Sequence, residues 1–222
     1  MTSSELLPKS EDVRLACAFI PDVEKRTEVM ALFAFLETLR DIPERTTDPL
    51  MGEIRLRWWY EAIEEIEQER PVRYHPLTEA LKAMIERYGL APKDFLDLIE
   101  GQMPLLDKGS LTIKDALGVV DRGEGHLFQF AAKVLEQEAA LTDIARLHGM
   151  TQIKVSRDLS DAGDMEFSHL KREAQKAAKD LPTALMPLAL PSALAAIYWQ
   201  GGKPGPLIKR FRLLWSYITG RI

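Results

Sequence analysis

The chain has a single cysteine, Cys17, so no internal disulfide can form, and no Cys/His pair stands at zinc-ligand spacing. A membrane-spanning helix needs roughly 18 consecutive apolar residues, and no run comes near that. Positive charge is not in excess: 29 Lys and Arg face 34 Asp and Glu, a net charge of −5. That balance argues against nonspecific nucleic-acid binding. Strand signals are nearly missing, with no sustained apolar/polar alternation and no Asn-Gly or Asp-Gly turn. There is no P-loop and no dinucleotide fingerprint. Met1 to Asp12 carries acids early and lacks an apolar stretch, which is not the pattern of a secretory signal. A reducing, cytoplasmic compartment is the expectation.

What is present is helical periodicity over an apolar content of 46% in 222 residues, enough for a real core in one domain spanning 1–222. From Val23 to Leu39, one stripe carries Val29, Leu32, Phe33, Leu36 and Leu39. Asp48 and Pro49 read as the cap and first turn of a second helix, with Ile54, Trp58, Ala62 and Ile66 along its inner face. Further helices are expected from Pro76 to about Tyr88, Asp94 to Leu106, Leu111 to Glu136 and Leu141 to Asp158. Gly123 and Gly125 weaken the Leu111–Glu136 helix unless close packing needs them. Ser160 to Phe167 reads as a polar loop, and helices follow near Ser168–Asp180, Pro182–Gln200 and Pro206–Arg221. The fold class is all-α, a bundle of about nine or ten helices.

Four segments carry possible chemistry. Glu53, Arg57 and Glu61 fall at i, i+4 and i+8 beside Trp58, which makes either a surface ion-pair ladder or the wall of a polar pocket. Asp158, Asp161 and Asp164 stand three residues apart, a spacing open to a divalent cation or to simple capping of a helix end. Arg40, Asp41 and Glu44 surround Pro43, which is expected to stop or kink its helix. The segment 201–222 holds five basic residues and no acid, including Lys209, Arg210 and Arg212 near Trp215. Its stripe of Leu207, Phe211, Leu214, Ile218 and Ile222 suits either an anionic membrane or partner surface, or packing onto the bundle. His75, His126, His148 and His169 are scattered, and His126 reads as a satisfied interior or interface imidazole.

Taken together, Val29-Met30-Ala31-Leu32-Phe33-Ala34-Phe35, the run Pro49 to Ala62 with its Trp58-Trp59 pair, and Gln152 to Asp161 resemble the squalene/phytoene synthase family. The resemblance implies the isoprenoid synthase fold. It also implies two Asp-rich motifs on facing helices, holding Mg²⁺ that draws diphosphate off a prenyl substrate. Arg40 to Glu44 falls on the first motif, with Arg40 where the leading Asp belongs. Asp158 to Ala162 falls on the second, with Asp158 and Asp161 kept and Ala162 in place of the final acid. An Arg at position 40 repels a metal ion and offers a fixed cation to Asp158 or Asp161 across the old cavity.

The resemblance is nearest to a degenerate branch of the family that contains accessory factors for respiratory complex I assembly. It therefore implies a noncatalytic protein with no cofactor, a protein partner or prenyl lipid, and peripheral contact with the inner membrane. The competing expectation is an active prenyl-diphosphate transferase, with Mg²⁺ on Asp158, Asp161 and Asp164.

Overall fold

A computed structural model describes residues 4–157, 159–160 and 163–222. Among them there is no strand, only an isolated bridge from Leu111 to Leu159. Helices α1 (Glu11–Cys17), α2 (Val23–Arg45), α3 (Pro49–Glu67), α4 (Pro76–Tyr88) and α5 (Pro92–Glu100) form the first half. The second half comprises α6 (Ile113–Val120), α7 (His126–Val134), α8 (Thr142–Ser156), α9 (Asp164–Lys179), α10 (Met186–Ala189), α11 (Ala195–Trp199) and α12 (Pro206–Thr219). The fold is all-α, of the isoprenoid synthase type.

Short polar side chains start the helices. The Asp22 carboxylate accepts from the Lys25 N–H at 3.0 Å, and Asp48 accepts from Leu50 at 3.0 Å with Pro49 in the first turn. Thr112 accepts from Asp115 at 3.1 Å. Gly89, at φ +60°, ends α4 in the left-handed conformation that costs glycine no Cβ clash.

Helix α2 is the central element, packed by α1, α3, α4 and α7. Its Val29, Leu32, Phe33, Leu36 and Leu39 stripe is buried, together with Phe35. Phe35 meets Trp59 edge-on at 5.5 Å, and Phe95 stacks on Phe130 at 4.0 Å. Such aromatic contacts add about 0.5–1.5 kcal/mol each beyond the area they bury.

Several boundaries differ from the sequence expectation. Pro43 lies inside α2, which runs only two residues further, to Arg45. The buried face of α3 is Leu56, Trp59, Ile63 and Ile66, leaving Ile54 exposed and Trp58 half-buried. Helix α9 starts at Asp164, inside the expected loop, where the Glu166 carboxylate accepts from the Gly163 N–H at 3.0 Å. The Pro182–Gln200 segment is a chain of short 3₁₀ and α turns, since Pro187 and Pro191 each remove a backbone donor. The expected Leu111–Glu136 helix runs unbroken from Ile113 to Val134, with a π turn at Asp121–Gly125 joining α6 to α7.

Candidate functional site

That π turn shapes the site. An extra residue in a helical turn re-aims the side chains it carries, and here Glu124 points inward and is fully buried. Its two carboxylate oxygens accept from both terminal nitrogens of Arg40, with Nη2 to Oε2 at 2.6 Å. One glycine, Gly149, makes room. A Cβ at Gly149 would lie 2.7 Å from the Glu124 Oε2, and one at Gly123 would lie 3.6 Å from the Arg40 Nη2. The tightest neighbour at Gly123 is the Gln102 amide nitrogen, 3.2 Å from where a Cβ would lie.

The pair forms one wall of a cavity of about 380 Å³ between α2 and α8. Arg40, Asp41 and Glu44 line it from α2, and Gln152 and Ser156 line it from α8. The two helices read as motif carriers therefore face the same space. Lys9 closes part of the rim by an ion pair with Asp41, and its backbone N–H donates to Glu37, as does the Ser10 N–H at 3.2 Å. Burial raises the Glu37 carboxyl above its ordinary range despite those donors. His148 is buried deep in the cavity against Phe33 and Phe128, and desolvation pushes its imidazole below its ordinary value.

Charge decides what this cavity can hold. Its walls carry the carboxylates of Glu37, Asp41, Glu44 and Glu124 against the cations of Lys9, Arg40 and Arg157. Without an added cation, that lining gives a diphosphate no net attraction. Nor does the first motif suit Mg²⁺: a guanidinium holds position 40, and Asp41 is engaged by Lys9 and by Arg45 at 3.2 Å. Among the described residues no group of three His, Cys, Asp or Glu side chains is placed to hold a metal ion.

Other candidate residues are placed as follows. Asp158 and Asp161 lie outside the described residues. Asp164 opens α9 as an exposed acid and is not among the residues that line the cavity. Arg40 takes Glu124 as its carboxylate partner, where Asp158 or Asp161 was expected. Glu124 was not singled out in the sequence, although an acid with a glycine on either side inside a helix is a usable signal.

Glu53, Arg57, Trp58 and Glu61 do share one hollow, shallow and open, on the outer face of α3. Arg57 reaches Glu61 at 3.4 Å and Glu64 at 3.5 Å, whereas Glu53 makes no ion pair among the described residues. Arg73 completes the cluster by pairing with Glu61 and Glu65 at 3.1 and 2.6 Å and lying over the Trp58 ring. His126 is satisfied by Asp97 at 2.8 Å. At the far end of the chain, Arg210, Arg212 and Trp215 are exposed. Lys209 is not: it turns inward to Asp12 at 2.9 Å and Glu11 at 3.0 Å, so it leaves the expected outer surface.

Residues 7–160 match the family described as Squalene/phytoene synthase. The chain belongs to that family. In this squalene/phytoene synthase family member, every residue of the Arg40 cavity falls inside the matched segment, and α12 falls outside it. Over 145 residues the chain is also 23% identical to proteins named "NADH dehydrogenase (ubiquinone) complex I, assembly factor 6" from Homo sapiens, Bos taurus and Rattus norvegicus. The match covers 65% of this chain and 43% of each relative, so it spans less than half the length of those proteins.

Proposed function

We propose that this chain, as one domain over residues 1–222, has given up prenyl-diphosphate condensation and serves as a noncatalytic accessory factor in respiratory complex I assembly. It acts without a metal or other cofactor, through a protein partner, at the cytoplasmic face of the inner membrane and in peripheral contact with it. The observation that carries this reading is the Arg40–Glu124 ion pair, which puts a fixed cation where the family's chemistry needs metal-binding acid. The likeness to proteins named complex I assembly factors supports the choice of process.

The test is genetic complementation. Deleting the gene is expected to lower assembled complex I on native gels, and the chain carrying Asp158→Asn and Asp161→Asn is expected to restore it. Failure of that variant, while the unaltered chain restores assembly, would favour the competing transferase, in which those acids hold Mg²⁺ with Asp164. No loss of complex I on deletion overturns the assembly reading.

A further inference from the structure

Helix α12 is held to the bundle by one face only. Leu213 and Ser216 are buried, and the Tyr217 ring meets that of Phe19 at 4.6 Å, tilted by 33°. Lys209 is tied to Asp12 and Glu11, and the Tyr198 hydroxyl also donates to Asp12. Below the helix the Gln175 amide donates to the Ile222 carbonyl at 2.8 Å. These contacts fix the roll of α12 about its axis.

The face so turned outward is the apolar one. Leu207, Phe211 and Ile218 are 81%, 66% and 68% exposed, and Ile208, Leu214 and Trp215 complete an unbroken stripe. At 100° per residue, Arg210 and Arg212 stand on its two flanks. Arg212 is also one of three basic residues, with Lys171 and Arg221, around a hollow of about 550 Å³ whose apolar lining includes Leu207, Phe211 and Trp215. No acid lines that hollow. None of the three cations makes an ion pair among the described residues, and Arg212 only donates to the Ala193 carbonyl at 3.4 Å.

An apolar stripe bordered by unpaired arginines has the cross-section of a helix lying in a membrane interface, its rings at acyl depth and its cations at the phosphates. We propose that α12 docks the protein on a bilayer containing anionic phospholipid, with Lys171, Arg212 and Arg221 receiving a headgroup phosphate. Charge complementarity selects the occupant: with Lys209 turned inward, segment 201–222 still presents Lys203, Arg210, Arg212 and Arg221 and no acid, in a chain whose net charge is −5. No helix among the described residues is long and apolar enough to cross the membrane, so contact is along the surface.

This deepens the membrane-proximal part of the proposed function and can fail separately from it. A chain that binds anionic vesicles but does not support complex I overturns the assembly reading alone. One that supports complex I without binding vesicles overturns this inference alone.

The experiment is co-sedimentation of the full chain with vesicles of phosphatidylcholine, alone or mixed with phosphatidylglycerol. Binding is expected to the mixed vesicles and to weaken with salt. Lys171→Ala and Arg212→Ala are each expected to weaken it about five-fold. Phe211→Glu, a change at a solvent-facing position expected to leave the circular dichroism spectrum unchanged, is expected to abolish it. Three results overturn the inference: equal binding to both vesicle types, binding untouched by Phe211→Glu, or no binding to either. Should the last come with self-association that Phe211→Glu removes, the stripe is a contact between copies of the chain.

Discussion

Arg40 and Glu124 lie 84 residues apart in the chain and close a two-pronged ion pair with the carboxylate fully buried. The carboxylate has left water and the guanidinium is largely withdrawn from it, so the pair is tolerated because each satisfies the other. Arg40→Met or Glu124→Leu alone is expected to destabilise the fold by about 3–5 kcal/mol, since each strands the remaining partner. The double variant Arg40→Met/Glu124→Leu, which keeps the volume and removes both charges, is expected to lie within about 1 kcal/mol of the parent. Urea unfolding of the four chains measures this, and additive single costs would refute the coupling.

Gly149 is a steric requirement of the same pair. Its missing Cβ would sit 2.6 Å from Val120 Cγ1 and 2.7 Å from the Glu124 carboxylate. Gly149→Ala should cost about 1–3 kcal/mol through overpacking, despite alanine's better helix propensity. The same change at Gly118, which has nothing within 4 Å, should be neutral or stabilising by about 1 kcal/mol. Thermal melts of the two variants, shifted in opposite directions, are the expected result.

His148 gives stability a pH dependence of definite sign. Burial holds its imidazole below the ordinary value of 6.5. Below pH 6.5 the unfolded chain takes up a proton that the folded chain refuses, so stability falls as the pH drops, by at most about 1.4 kcal/mol per pH unit. Above 6.5 both states are neutral at this residue and the slope vanishes. Glu37, raised by burial, has the opposite sign, with its contribution lost as pH rises through its folded value. The comparison is therefore the parent against His148→Gln, in which Glu37 acts equally on both. The variant is expected to lose its share of the slope below pH 6.5, and an unchanged slope would place a different titrating group in control.

Lys209 locks α12 in its outward-facing roll. Lys209→Met leaves the buried Asp12 carboxylate with Tyr198 as its donor, and about 2–3 kcal/mol of stability should be lost. Adding Asp12→Asn to that variant removes the stranded charge and should recover much of the loss. Denaturant melts that show no recovery would argue against Asp12 as the cause.

How much of this was legible beforehand follows from which interactions are local. The α2 stripe and the Asp48–Pro49 start are written in neighbouring residues, so periodicity and capping chemistry found them. Of the expected α3 face Ala62 and Ile66 are buried, but Ile54 and Trp58 are not: they satisfy a helical stripe as well as Leu56 and Ile63 do, and only the packing partner, Phe35 against Trp59, chooses between them. Position 40 was legible as a departure from the family motif, but its partner was not. Glu124 reaches Arg40 through a π turn, a change of register that residue spacing alone cannot announce. On α12 the stripe itself was plain, but which way it faced depended on Lys209 finding Asp12, some two hundred residues earlier in the chain.

The central claim is that a fixed guanidinium has replaced the metal at the first motif. The most direct measurement is a calorimetric titration of the purified chain with farnesyl diphosphate, with and without Mg²⁺. The account predicts no binding, or binding that Mg²⁺ does not change, because Arg40 repels the ion and Glu124 is already committed to Arg40. Tight binding that appears only with Mg²⁺ would contradict it and restore the transferase.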